Sequence, residues 1–215
     1  MPHRITPLVT GQIYHVYNRG SEKRRIFEDR RDYQRFLKLI QYYQLEGPKP
    51  RYSHFSSFSL IKPDVDKKIV GIVAYCLMPN HFHLMPKPLK NLGITEFMSK
   101  LSNSYTKYYN IRHKRVGPLF QGEFKSVLVE SDEQLIHLSR YIHLNPYVSF
   151  IVKNLESYEW SSYMEYINQN PNQICSKNIV TDFFENIEKY QSFILDYATY
   201  AQNLEIIKHQ LIDED

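Results

Sequence analysis

Two histidines separated by a single phenylalanine, His81 and His83, are the residues of this sequence whose types and spacing point most directly to chemistry. On a β-strand side chains alternate, so both imidazoles would face one way while Phe82 and Leu84 face the other. Two rings carried by one rigid strand form half of a site for a divalent cation. Imidazole accepts several metals, so the spacing does not name the ion. Such pairs also occur by chance. Here the pair follows a buried-looking apolar run, where two unpaired polar rings would be costly, and ligation or exposure in a cleft is the less costly arrangement.

A second chemistry-bearing feature is tyrosine, of which the chain has 18. A phenol with its ordinary pKa of about 10 is a poor nucleophile, but a metal that polarises a phosphodiester lowers the barrier to its attack. Tyr141 and Asn145 stand four residues apart on one face of an expected helix whose apolar stripe is Leu135, Leu138 and Ile142. Spacing alone does not select Tyr141, which could be an ordinary half-buried residue, and Asn145 before Pro146 is a common helix-end residue. Tyr105, Tyr108 and Tyr109 on the preceding helix are rivals, although Tyr105 and Tyr108 fit that helix's apolar stripe.

The elements that must position these residues follow from pattern. Residues 12–19 (QIYHVYNR) are rich in β-formers and stop at Gly20, which reads as a first strand. From Asp29, apolar residues at Tyr33, Phe36, Leu37, Ile40 and Tyr43 predict an amphipathic helix ending near Gly47 and Pro48. Residues 48–68 read as loop with room for one short strand. The apolar run 69–77 (IVGIVAYCL) fits a buried central strand, and 81–85 (HFHLM) a second strand paired with it as a hairpin. A second helix is expected over 95–110, another strand over 124–129, and a third helix opened by the capping box SDEQ at 131–134 and terminated by Pro146. Short helical pieces surround Trp160, and the rest is expected to be helical. Strand, helix, strand pair, helix, strand, helix implies an α+β sandwich, an antiparallel sheet with helices on one face plus a C-terminal helical extension.

Composition narrows the function classes. A chain of 215 residues with 42% hydrophobic and 23% charged residues is expected to fold as one catalytic unit, 1–168, with an acidic extension, 169–215. Without an apolar run of about 18 residues or a signal-like N-terminus, a cytoplasmic protein with no membrane partner is expected. Cys76 and Cys175 lie far apart and outside any CxxC pattern, so any metal must use His, Asn, Gln or carboxylate ligands. The net charge of +4 conceals 24 Lys/Arg against 12 Asp/Glu in residues 1–154 and 3 against 11 in residues 155–215. A basic body attracts polyanions by counterion release.

Five segments in order, YHVYNRG (14–20), LMPNHFH (77–83), GPLFQ (117–121), YIHLNP (141–146) and WSSY (160–163), resemble the REP-associated tyrosine transposases. These are a branch of the bacterial single-tyrosine HUH, or IS200-like, transposases. The resemblance covers about residues 10–168 and implies a ferredoxin-like α+β domain. It implies Mg²⁺ or Mn²⁺ held by His81 and His83, with Asn145 in the place of a polar third ligand. It selects Tyr141, which opens YIHLNP, as the nucleophile that forms a 5′-phosphotyrosine on hairpin or REP-type single-stranded DNA, leaving a free 3′-hydroxyl. It leaves open a monomer or a homodimer. Glu123 stands where the family pattern carries a basic residue.

Phosphate contacts are expected from the basic residues after the first strand, Arg19, Lys23, Arg24 and Arg25, and after the second helix, Lys107, Arg112, Lys114 and Arg115. Two other readings compete with strand cleavage. One is a domesticated hairpin-binding protein of the same fold that no longer cuts. The other is a histidine phosphodiesterase acting on nucleotides, which lacks support from any Gly-rich phosphate loop.

Overall fold

A computed structural model describes residues 7–47, 52, 67–170 and 174–203. Four antiparallel strands form one sheet in the order β2-β3-β1-β4: β1 is Tyr14–Arg19, β2 Val70–Met78, β3 His81–Pro88 and β4 Lys125–Leu128. Helix α1 (Arg30–Tyr43) joins β1 to β2, and α2 (Gly93–Arg112) joins β3 to β4. Each helix therefore carries the chain past one intervening strand, which gives the split βαβ arrangement of a ferredoxin-like sheet.

Local sequence accounts for most boundaries. Asp29 caps α1 by accepting from the Arg31 and Asp32 amides. Residues 79–80 form the two-residue turn of the β2–β3 hairpin, and the whole of β2 is buried. Gly20 ends β1 where the chain doubles back so tightly that a Cβ would lie 2.3 Å from the Arg24 carbonyl oxygen. Helix α3 (Asp132–Val148) begins at Ser131, whose hydroxyl accepts from the Gln134 amide at 3.1 Å. The reciprocal arm of the box reaches one residue further back than the usual pattern, since Gln134 Oε1 accepts from the Glu130 amide at 2.8 Å.

The expected stop at Pro146 needs correction, because this residue lies inside the last turn of α3. A proline there forfeits its own N–H bond to the preceding turn and crowds the carbonyl four residues back, but the carbonyls that follow can still accept. The helix continues because the Asn145 carbonyl accepts from Ser149 at 3.0 Å. The Pro146 carbonyl then receives the Ile151 and Val152 amides and closes the end.

Two cores flank the sheet. Helices α1 and α2 cover one face, burying Phe36, Ile40, Phe97, Leu101 and Tyr105 against Val16, Leu77, Phe82 and Leu84. The other face is covered by α3 and by the chain that follows it: α4 (Tyr163–Tyr166), α5 (Asn178–Thr181) and α6 (Ile187–Leu195). This second layer extends the expected one-sided arrangement. It explains why β2 is an unbroken apolar run, since its residues of both parities are buried. Residues 174–203, the described part of the C-terminal stretch, include α5 and α6 and share this core, with Val180, Tyr190, Ile194 and Ala198 buried beside α3.

The segment WSSY fastens this layer to the sheet edge. The Leu77 amide donates to the Trp160 carbonyl at 2.9 Å, and the Ser162 hydroxyl accepts from the Tyr75 amide at 2.9 Å. Buried Glu165 accepts from the Tyr75 hydroxyl and from the Ile174 and Cys175 amides, which ties the start of the extension to β2. Most of the loop between α1 and β2, including the short strand allowed for there, lies outside the described residues. Cys76 and Cys175 are unpaired.

Candidate active site

Alternation along β3 sends Phe82 and Leu84 into the α1/α2 core, and His81 and His83 to the α3 face, as the pattern requires. Adjacent β1 contributes His15, Tyr17 and Arg19 to that same face, with Tyr17 opposite His83 and Arg19 opposite His81. The His81 and His83 rings are 4.9 Å apart and perpendicular. His81 Nδ1 is paired with Asn80 Oδ1 at 2.6 Å. His83 Nδ1 is paired with His15 Nε2 at 2.9 Å. His83 Nε2 is buried and has no hydrogen-bond partner.

Burial keeps these rings neutral. Desolvation, followed by the positive charge of Arg19, lowers His81 to about 4, against a small opposing effect of its hydrogen bond with Asn145. Desolvation also pushes His83 well below the usual imidazole range, with His81 and His15 adding to it. Neutral imidazole is the form that ligates metal.

Helix α3 brings Tyr141 over these rings. The tyrosine is 52% exposed, so its phenol is open to a substrate. Its ring centroid is 5.4 Å from that of His83 and 6.0 Å from that of His15, edge-on to both. Asn145, one turn further, is buried and donates from Nδ2 to the Tyr141 carbonyl at 3.2 Å. The inner side of α3 is anchored by His143, fully buried, with Nδ1 paired to the Tyr190 hydroxyl and Nε2 to the Ser162 hydroxyl, each at 2.7 Å. The tyrosines of α2 are committed elsewhere, on the opposite side of the sheet. Tyr105 donates to the Ile26 carbonyl at 2.5 Å, Tyr108 to Asp32 at 3.1 Å and Tyr109 to Glu28 at 3.0 Å.

An open cleft of about 700 Å³ runs along α3, lined by Arg19, His81, Tyr141 and Asn145 together with His137, Arg140, Tyr197 and Ala201. A larger groove of about 800 Å³ between α1 and α2 is lined by Arg31, Arg35, Lys100, Lys107 and Arg112. Among the described residues, no imidazole or carboxylate lines that groove. Imidazole, amide and phenol converge at the smaller cleft.

The eight basic candidates do not share one surface. Arg19 lies in the cleft, and Lys107 and Arg112 lie in the groove. Arg112 is engaged with Asp29 and with fully buried Asp32, both at 2.5 Å. Arg24 pairs with Glu22 at 3.0 Å, and Arg115 donates to Asn110 Oδ1 at 2.7 Å. Lys23, Arg25 and Lys114 are exposed, as is Glu123.

Sequence reasoning missed His15, Arg140 and Tyr197. Alternation places His15 on the face opposite Tyr14 and Val16, but its register against His83 is a tertiary fact. Arg140 is stacked on Phe193 (4.2 Å) and Tyr197 (4.4 Å) of the extension, which no local pattern announces.

Residues 56–145 match the family model described as transposase, IS200-like. Over that stretch the chain is similar to the IS200-like transposases. The matched stretch contains His81, His83, Tyr141 and Asn145, the residues gathered at the cleft. No curated protein matches the chain. Among solved structures, one described as "Structure of the REP associates tyrosine transposase bound to a REP hairpin" is similar, with a TM-score of 0.57 and 13% identity over 86% of this chain and 96% of that one. At that identity the likeness establishes a shared fold. No helix among the described residues is long and apolar enough to cross a membrane.

Proposed function

We propose that this chain cleaves and rejoins single-stranded DNA beside a hairpin, with Tyr141 as nucleophile and His81, His83 and Asn145 as ligands of Mg²⁺ or Mn²⁺. The observation that carries the reading is a half-exposed phenol stacked edge-on to a buried imidazole whose Nε2 has no partner. A neutral nitrogen kept dry and unpaired fits a metal ligand. The Asn145 amide beside His81 supplies a polar group of the kind such a site needs. A bound divalent ion would polarise the scissile phosphate and offset the charge of the transition state.

The chain's own residues account for the rest. Tyr141 Oη bonds to phosphorus as the bond from phosphorus to the 3′-oxygen breaks, and the phenol proton ends on that departing oxygen as a 3′-hydroxyl. The phosphotyrosine keeps the ester bond, so the reverse step rejoins a strand without a nucleotide cofactor. Arg19 at the cleft supplies a positive charge for the strand. The solved relative's hairpin makes hairpin DNA the first substrate to test. All four residues come from one chain, which supports a site complete in a single copy.

The test is incubation with hairpin oligonucleotides carrying single-stranded flanks, in Mg²⁺ or Mn²⁺. A denaturation-resistant protein–DNA adduct is expected, lost in Tyr141→Phe. His83→Ala should lose cleavage and keep most binding, since phosphate contacts dominate affinity. Tight binding with no cleavage across a panel of flanks would instead show a binding protein, and an adduct that persists in Tyr141→Phe would reject the nucleophile.

A further inference from the structure

His15 belongs to none of the roles assigned so far, yet it is hydrogen-bonded to the His83 ring, Nε2 to Nδ1 at 2.9 Å. The two rings are nearly parallel, 22° apart, with centroids separated by 5.1 Å. His15 is held there by β1, beside Tyr17 at 4.9 Å and under Tyr141 at 6.0 Å.

A hydrogen bond between two neutral imidazoles needs one N–H and one lone pair, so only two proton arrangements are possible. If His15 Nε2 donates, His83 must carry its own proton on Nε2, the atom that is buried and has no acceptor. A buried N–H without an acceptor costs roughly 1 to 3 kcal/mol. If instead His83 Nδ1 donates to His15, the lone pair of His83 is left on Nε2, in the form that binds a cation. His15 then carries its proton on Nδ1.

We propose that His15 is a positioning residue that accepts from His83 Nδ1–H and so holds His83 in the tautomer and orientation that present its Nε2 lone pair. This rests on the reading of His83 as a metal ligand. The general pattern is that a metal-binding histidine donates its other N–H to an acceptor, and removal of that acceptor weakens metal affinity about 10- to 100-fold. In this chain the acceptor is a second imidazole from the neighbouring strand. His15 is not itself a ligand, because its Nε2 is occupied by His83.

Two measurements on the full chain decide the matter. Long-range ¹⁵N NMR of the metal-free protein with labelled histidine should show His83 protonated at Nδ1 and bare at Nε2. The opposite tautomer overturns the proposal. Calorimetric titration with Mn²⁺ alone should show His15→Phe binding about 10- to 100-fold more weakly than the unsubstituted chain. His15→Gln, whose amide oxygen can accept the same proton, should recover affinity to within a few-fold. Equal Mn²⁺ affinity in His15→Phe also overturns it. If the unsubstituted chain binds no Mn²⁺, the metal reading fails while the tautomer still decides the role of His15. If His15→Phe does not fold, the NMR result and the glutamine variant carry the test.

Discussion

His143 offers a quantitative check on how α3, and with it Tyr141, is seated. The imidazole is fully buried, and desolvation lowers it to about 3. Its unfolded value is about 6.5, so between these limits the unfolded chain binds the extra proton and stability falls as pH falls. Above the unfolded value the contribution is fully present. At about pH 5 the loss from this one group is roughly 2 kcal/mol.

The perturbation is His143→Leu, which keeps apolar bulk but removes both hydrogen bonds and the titrating group. Near pH 7 the variant should be less stable by about 3 kcal/mol, at about 1.5 kcal/mol for each of the two lost bonds, while the Ser162 hydroxyl keeps Tyr75 and the Tyr190 hydroxyl keeps Ser139 as partners. Near pH 5 the gap should shrink to about 1 kcal/mol, because only the unsubstituted chain pays the protonation cost. Other buried histidines are present in both proteins and cancel in the difference. Urea unfolding followed by far-ultraviolet circular dichroism at the two pH values measures this gap. An equal gap at both would refute the idea that His143 is held neutral by its seat between Tyr190 and Ser162.

Arg112→Ala strips buried Asp32 of its guanidinium partner and should cost about 3 kcal/mol in chemical denaturation. The salt dependence of hairpin affinity should barely change, because Arg112 is already neutralised by Asp29 and Asp32. Lys107→Ala should leave stability within about 0.5 kcal/mol, and if the α1/α2 groove holds phosphates it should lower the salt slope by about 1. Ser131→Ala, at the start of α3, should lose about 1 kcal/mol in the same unfolding assay, since the Gln134 amide loses its acceptor.

Much of this arrangement was legible in residue order. Alternation in HFH was enough to send both histidines to one face, and the four-residue step from Tyr141 to Asn145 to give them neighbouring positions along α3. Asp29 and Ser131 marked helix starts because capping is local chemistry. Pro146 misled because a proline late in a helix disturbs the turn before it, while whether the chain continues depends on what its last carbonyls meet. That β2 is buried on both faces could be read from its unbroken apolar run, but what covers the second face could not. The contact of His15 with His83 needs the β1–β3 register. The seat of Arg140 needs Phe193 and Tyr197, more than 50 residues further on, so no window of local sequence holds it.

The most direct test of the shared imidazole–phenol site is to identify the residue that carries DNA. The protein is incubated with a hairpin substrate and Mn²⁺, the adduct is digested, and the nucleotide-bearing peptide is sequenced by mass spectrometry. The account requires the phosphate on Tyr141, and no such peptide from His83→Ala. Phosphate on Tyr105, Tyr108, Tyr109 or any other side chain would contradict it.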